Sequence, residues 1–296
     1  VVIYGKSRGT RAVDGCIALA LIVVAAVSLF PILNSVAISF SEKAAVSAGR
    51  VTVLPVDFSL ANYKTLLQDR QFFASFGVSL QRVALGGALQ FALTVLMAFP
   101  LSRDGKRFYG RNVYMWAVVF TMLFHGGLIP WYTTIRSLGL IDTIWALVLP
   151  GAVPVFNVIL LMNFFRNLPK ELDEAAMMDG AGPWYTMLRI YLPLSLPALA
   201  TVTLFSVVGH WNAFFDGLVL THSPEHMPLQ TYINTLMVQP AQWEDLDPET
   251  LKTLMQTSDQ GLNAAKVFVS MIPILIIYPL LQRYFIHGIV LGSVKE

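Results

Sequence analysis

Charge is what this chain is shortest of. Of its 296 residues 13% are charged and 55% hydrophobic, whereas a soluble domain carries about 25% charged residues, which excludes a water-soluble globular chain. The net charge is only +2, and the basic residues sit in short segments beside apolar runs instead of forming one patch. That excludes a nucleic-acid-binding surface and points to membrane orientation. Cysteine is almost missing: Cys16 alone offers neither a disulfide framework nor a thiolate metal site. The apolar segments also lack a His-Glu-x-x-His run and lack aspartates paired at matched depth, so an intramembrane enzyme has no machinery here. Gly5-Lys6-Ser7 has the tail of a phosphate-binding loop without the earlier glycine or the strand that such a loop needs. It reads as a flexible basic tail, and the chain has no means of hydrolysing ATP by itself.

What is present is apolar sequence in lengths that span a bilayer. Six stretches are long enough for a hydrocarbon layer of about 30 Å: Cys16 to Phe40, Phe72 to Leu101, Val113 to Trp131, Ile144 to Phe165, Tyr191 to Leu220 and Ala264 to Phe285. The first follows Lys6, Arg8 and Arg11 as a signal peptide would, but its 25 residues exceed a signal peptide's apolar region, so it is a retained helix. The sequence opens on Val1 and not on Met, and a few residues are expected ahead of it. Pro31, Pro154, Pro197 and Pro273 fall inside these runs and predict kinks.

Six spans put both termini on one side, and lysine and arginine say which. Twelve of the 20 basic residues lie in the segments that an inside N-terminus makes cytoplasmic, among them Arg103, Lys106, Arg107 and Arg111, then Arg166, Lys170 and Arg189, then Arg283 and Lys295. The outer segments hold Lys43, Arg50, Lys64, Arg70, Arg136, Lys252 and Lys266, and the last of them is acidic. The positive-inside rule predicts both termini in the cytoplasm. The expected fold is all-α, a polytopic membrane domain over residues 1–296 with no internal repeat. Two outer segments are long, Ser41 to Gln71 and Thr221 to Asn263, and Asp247 to Gln256 has the signals of a short helix.

The inner segment between spans four and five, Asn167 to Pro193, is punctuated differently from the rest. Pro169 suits a first helical position, and Glu171, Asp173 and Glu174 complement the helix dipole. Gly180 and Gly182 stop that helix, and Pro183 starts a second one running to about Tyr191. On the first, Leu172, Ala175, Ala176 and Asp179 share helical spacing, and the paired alanines leave room for another protein's surface. An amphipathic helix lying on the membrane is the simpler reading, but Glu171 to Asp179 carries four acids and no basic residue, the opposite of a surface anchor.

Glu174, Ala175, Ala176, Gly180, Ile190, Leu192 and Pro193 stand at the spacings of the EAA signature, and the chain resembles the permease subunits of ATP-binding-cassette (ABC) importers. Gly126-Gly127-Leu128-Ile129-Pro130, Gly139 to Thr143, His210 to Phe215 and Tyr278-Pro279 through Gly288 to Gly292 are similar to the carbohydrate-uptake branch, and the likeness runs from about Ser75 to the end. The resemblance implies a type I importer transmembrane domain in the bacterial plasma membrane, importing an oligosaccharide. It implies that residues 167–192 form the coupling loop, with Glu174, Ala175, Ala176, Asp179, Gly180 and Gly182 contacting an ATP-binding subunit. It implies as partners a second, homologous permease, two ATP-binding subunits that use ATP and Mg, and an extracytoplasmic solute-binding protein, which residues 221–263 contact unless they are a merely solvated loop. This chain itself is expected to bind no cofactor and no metal. Some members of the branch carry acidic, uronate-type chains, to which an arginine inside the membrane is congenial.

Within the spans, Arg82 either snorkels outward or faces an internal path, and Asp216 reads as an interfacial residue. His125, His210, Trp211 and Asn212 fall in the outer half of the bilayer and Asn157 near its middle. Together with Arg82 they are the candidate substrate path, since sugars are held by hydrogen-bonding groups and flat aromatic faces. Helix packing is the alternative reading for any one of them. A secondary transporter or channel driven by an ion gradient is the competing function; it calls for acids or proton relays near the midplane.

Overall fold

The structure, a computed structural model, describes residues 8–105, 108–238 and 260–293, and for residues 8, 10–12, 238 and 281–293 it describes the backbone alone. Lys6 and its glycine and serine neighbours, Lys106, Arg107, Lys295, Trp243 and the short helix expected at 247–256 lie outside the described residues, as do the side chains of Arg11 and Arg283. All regular structure among the described residues is helical, apart from one isolated bridge between Ser41 and Phe58. The chain falls into two compact units, Val1–Arg70 with Leu236–Ser270, and Gln71–Thr235 with Met271–Glu296.

In the first unit α1 (Arg8–Ser39) exposes its apolar side chains from Val13 to Leu33. Bare apolar surface over that length is what lipid covers. Its end packs Ala37 against Ala45, Val46 and Val51, around α2 (Lys43–Ser47). The amide of Asn62, on α3 (Ala61–Gln68), donates to the Ser39 carbonyl at 3.0 Å. The beginning of α14 (Gln260–Ser293) comes in so close that a Cβ on Gly261 would lie 2.6 Å from Asn62, and Lys266 pairs with Asp69 at 2.7 Å.

The second unit holds the main core. α4 (Arg70–Ser102), α8 (Val155–Arg166), a helix α10 (Pro183–Leu194) and α11 (Leu196–Asn212) bury Val95, Ala98, Phe99, Val158, Leu161, Phe165, Tyr191, Leu199 and Val202 against one another. α10 contains a π-helical turn at Thr186–Tyr191. A smaller cluster joins Ile135, Ala146 and Leu220 from α6 (Leu128–Ser137), α7 (Ile144–Val148) and α12 (Phe215–Leu220), which α13 (Leu229–Val238) follows.

Three described helices, α1, α4 and α14, are continuous and apolar enough to cross a membrane, or up to five if each bent pair counts as one span. The other expected spans are interrupted. Val113 to Trp131 divides into α5 (Arg111–Leu123) and α6, bent by 111°, because Gly127 at φ +92° leaves the helical region. Ile144 to Phe165 divides at Pro150 to Pro154, and α8, with 12 residues, reaches only about 18 Å at 1.5 Å per residue. Tyr191 to Leu220 breaks twice, with an 85° bend before Leu196 and a second break at Ala213–Phe214. Pro31 and Pro273 do lie inside continuous helices, but Pro154 and Pro197 begin new ones; a missing N–H costs nothing at a helix start.

Candidate functional site

The punctuation of residues 167–193 survives folding. Pro169 is the N-cap of α9 (Lys170–Met178) instead of its first residue, with Glu171 and Asp173 in the first turn. The helix closes on a Schellman cap: the Gly180 amide donates to Met177 at 3.0 Å and the Ala181 amide to Ala176 at 2.9 Å, with Gly180 at φ +73°. Glu174, Ala175, Met178, Asp179, Gly180 and Gly182 are exposed, while Ala176 is buried against the chain itself. The two alanines therefore divide their work, one packing inward and one facing out. Asp179, Gly180, Gly182 and Tyr185 rim an open hollow of about 600 Å³.

One acid of this helix does not face solvent. Asp173 forms an ion pair with Arg103, and the Arg103 guanidinium lies over two rings that meet edge to face, 4.1 Å from the centre of Phe99 and 4.4 Å from that of Tyr191. Its Nη1 also donates to the Tyr191 hydroxyl at 3.2 Å. A delocalised cation over aromatic faces is a favourable packing unit as well as a charge pair. Arg103 follows directly on α4, so α9 is bolted to the C-terminal end of that helix. Arg111 Nε and Arg166 donate to the Leu101 carbonyl at 2.8 and 3.2 Å, closing the same helix end. The basic residues at this end thus have structural work.

Twenty-one residues earlier, within α4, lies the second constellation. Arg82, buried, forms a two-pronged ion pair with Asp216 of α12, Nη1 to Oδ1 at 3.1 Å and Nη2 to Oδ2. Arg82 does not stand alone: Asp216 is its counter-ion. Nη1 also reaches the Ala213 carbonyl at 3.4 Å, where α11 breaks, and Gln90 donates to the Gly151 carbonyl at 2.7 Å, where the α7–α8 connection breaks. Backbone freed inside a membrane must be satisfied by protein, and side chains of α4 do that at both breaks. Between them on the same stripe is Gly86: a Cβ there would stand 2.4 Å from Nε2 of His210, so only glycine lets this ring close on the helix.

These groups surround a cavity of about 440 Å³. Arg82, Asn157 and His210 from the expected path line it, joined by Gln90, Trp131, Phe205, Ser206 and Asp216. Asn157 also packs, donating to Val202 and Ser206 at 3.2 Å. Trp211 is turned away, buried edge-on to Phe76 at 5.5 Å. Asn212 is exposed at the end of α11, and His125 is exposed in the α5–α6 break; neither lines the cavity.

The sequence did not mark Asp173, Arg103, Tyr191, Gln90 and Gly86 as site residues, and it singled out Asp216 without pairing it to Arg82. A signal for two of them was available: Arg82, Gly86 and Gln90 recur every four residues in an apolar helix and so share one face.

The Gly139–Thr143 turn is tied to residues 220–226. The Asp142 carboxylate accepts from the amides of His222 and Ser223 at 2.9 and 3.0 Å and from the Ser223 hydroxyl, and meets Nδ1 of His226 at 3.2 Å. Burial pushes its pKa up, but those hydrogen bonds outweigh it and hold the carboxyl well below the usual carboxylate range. No group of three or more metal-ligating side chains occurs among the described residues.

Residues 72–290 match the family described as "Binding-protein-dependent transport system inner membrane component". Protein LplC of Bacillus subtilis is 38% identical over 98% of this chain and 97% of its own length. The polygalacturonan/rhamnogalacturonan transport system permease protein YtcP of the same organism is 35% identical over 93% and 95%. A chain of the crystal structure of a bacterial ABC transporter involved in the import of the acidic polysaccharide alginate superposes with a TM-score of 0.84 at 33% identity, covering 95% of this chain and 99% of that one.

Proposed function

This chain belongs to the family of inner membrane components of binding-protein-dependent transport systems, and on that premise we propose how it works within an ABC importer for a sugar or oligosaccharide. It is a permease subunit and forms half of the translocation path; a second, homologous permease forms the other half. Two ATP-binding subunits, using ATP and Mg, supply the work from the cytoplasmic side, and a solute-binding protein delivers the sugar from outside. The chain crosses the bacterial inner membrane six times with both termini in the cytoplasm, the arrangement favoured by the distribution of Lys and Arg.

The observation that carries the reading is the α9 loop. A short, capped helix exposes Glu174, Ala175 and Gly180 on one side, and its other side is pinned through Asp173 to Arg103 at the end of α4. A push on the exposed side is delivered to α4, whose outer half carries Arg82 and Gln90 into the polar cavity. The path residues are Arg82, Asn157 and His210, with Gln90, Trp131 and Asp216 beside them. The ion-gradient alternative finds no comparable support: the solved neighbour at 33% identity is an ABC transporter, and the acid inside the cavity is neutralised by Arg82.

The experiment is reconstitution of the complete transporter with Glu174→Ala or Gly180→Val. We expect the variants to insert normally but to lose uptake, with ATP hydrolysis no longer stimulated by the loaded binding protein. Full uptake in both variants removes the reading.

A further inference from the structure

We propose that the cavity around Arg82 and Asp216 binds an uncharged pyranose unit of the transported oligosaccharide and discriminates against a uronate. The inference rests on the permease reading, but a different property carries it: the charge balance of the site.

Arg82 and Asp216 are the two oppositely charged side chains among the described residues that line the cavity. Both terminal nitrogens of the guanidinium are committed to the one carboxylate. The arginine that would favour an acidic substrate is therefore already neutralised from within. A uronate entering here would bring a second carboxylate beside Asp216 on the same guanidinium and leave the site with net negative charge inside the membrane. Burying an uncompensated charge is among the largest penalties available to a binding site.

A sugar hydroxyl meets no such penalty, because it donates and accepts at once. Side chains of that kind, Gln90, Asn157 and Ser206, stand in the lining. Trp131 and Phe205 add flat faces to the lining, suited to the apolar face of a pyranose. About 440 Å³ falls within the range of small-molecule sites.

The test is direct binding to the purified complete transporter, read by the fluorescence of Trp131, with Trp131→Phe identifying that residue's share of the signal. The probes are a neutral galacto-trisaccharide and trigalacturonate. We expect the neutral sugar to quench at a concentration lower by about tenfold or more, a difference of roughly 1.4 kcal/mol. Asp216→Asn, which unbalances Arg82, should reverse the preference. Arg82→Gln combined with Asp216→Asn, which removes both charges, should again disfavour trigalacturonate; this second variant keeps the proposal open to refutation if the single one fails to fold. Equal or tighter binding of trigalacturonate by the unmodified transporter overturns the proposal. So does an unchanged preference in Asp216→Asn, or the absence of a Trp131-dependent signal with either sugar. ATP-driven uptake combined with a uronate preference at this site would leave the permease reading intact and remove only this inference.

Discussion

Arg103 shows how much a single residue can hold. It combines an ion pair, a hydrogen bond and two ring contacts within one half-buried side chain. Arg103→Lys keeps the charge but gives up the planar stacking, a loss of about 0.5–2 kcal/mol for the ring contacts. Asp173→Asn leaves the half-buried arginine without its counter-charge, a loss that approaches the roughly 3 kcal/mol of a broken buried pair. We expect the lysine variant to lower the thermal midpoint modestly and the asparagine variant more, and both to reduce uptake per ATP hydrolysed. Equal coupling ratios in both variants and the unmodified transporter would show that Arg103 does not transmit motion.

Asp142 provides a pH-dependent test at the same scale. Its folded-state pKa is depressed, so the ionised form is favoured in the fold. The resulting stabilisation is present in full above the ordinary value of about 3.9 and is lost as pH falls through the depressed value. Asp142→Asn should therefore be less stable than the unmodified protein at pH 7 and at pH 5, with the gap narrowing only in stronger acid. A gap that closes between pH 7 and pH 5 would assign the effect to another group. Gly86→Ala should disturb the cavity, because the new methyl group would meet the buried His210 ring at 2.4 Å; the expected readout is loss of sugar binding with the α9 loop unaffected.

At the level of elements, local signals were legible in the sequence and long-range ones were not. The α9 loop was legible because its signals are local: a proline before it, acids in the first turn, glycine at a left-handed cap and a proline to restart. Gly180→Ala forces an L-residue into the left-handed region at about 1–2 kcal/mol, and circular dichroism of the loop peptide would not report it, since the cap matters in context; limited proteolysis of the assembled protein should show earlier cleavage at 178–182. Unchanged cleavage would mean that the cap does not hold the loop. Span interruptions were hidden because the broken stretches remain apolar, and hydropathy does not register a glycine at φ +92° or a proline that starts a helix. The decisive pairings were hidden for another reason: Arg103 and Asp173 are 70 residues apart, and Arg82 and Asp216 are 134 apart. Only folding brings them together, although a lone cation and a lone anion in the same half of the bilayer were already a hint that each is the other's partner.

For the whole molecule, the family and the permease fold followed from one motif and the pattern of apolar runs. The sidedness proposed here is open to direct measurement: with Cys16 replaced by serine, a single cysteine at Met178 should react with a membrane-impermeant thiol reagent only from the cytoplasmic face, and one at His222 only from the outside. Labelling of both from one face would refute the topology. The central claim is that ATP hydrolysis in partner subunits, and no ion gradient, moves sugar through this chain. The most direct measurement is accumulation of a labelled oligosaccharide in proteoliposomes holding the complete transporter, supplied with ATP on the nucleotide-binding side and binding protein on the other. The account predicts accumulation against the gradient that stops without ATP and continues in the presence of ionophores; accumulation driven by an imposed ion gradient with no ATP present would contradict it.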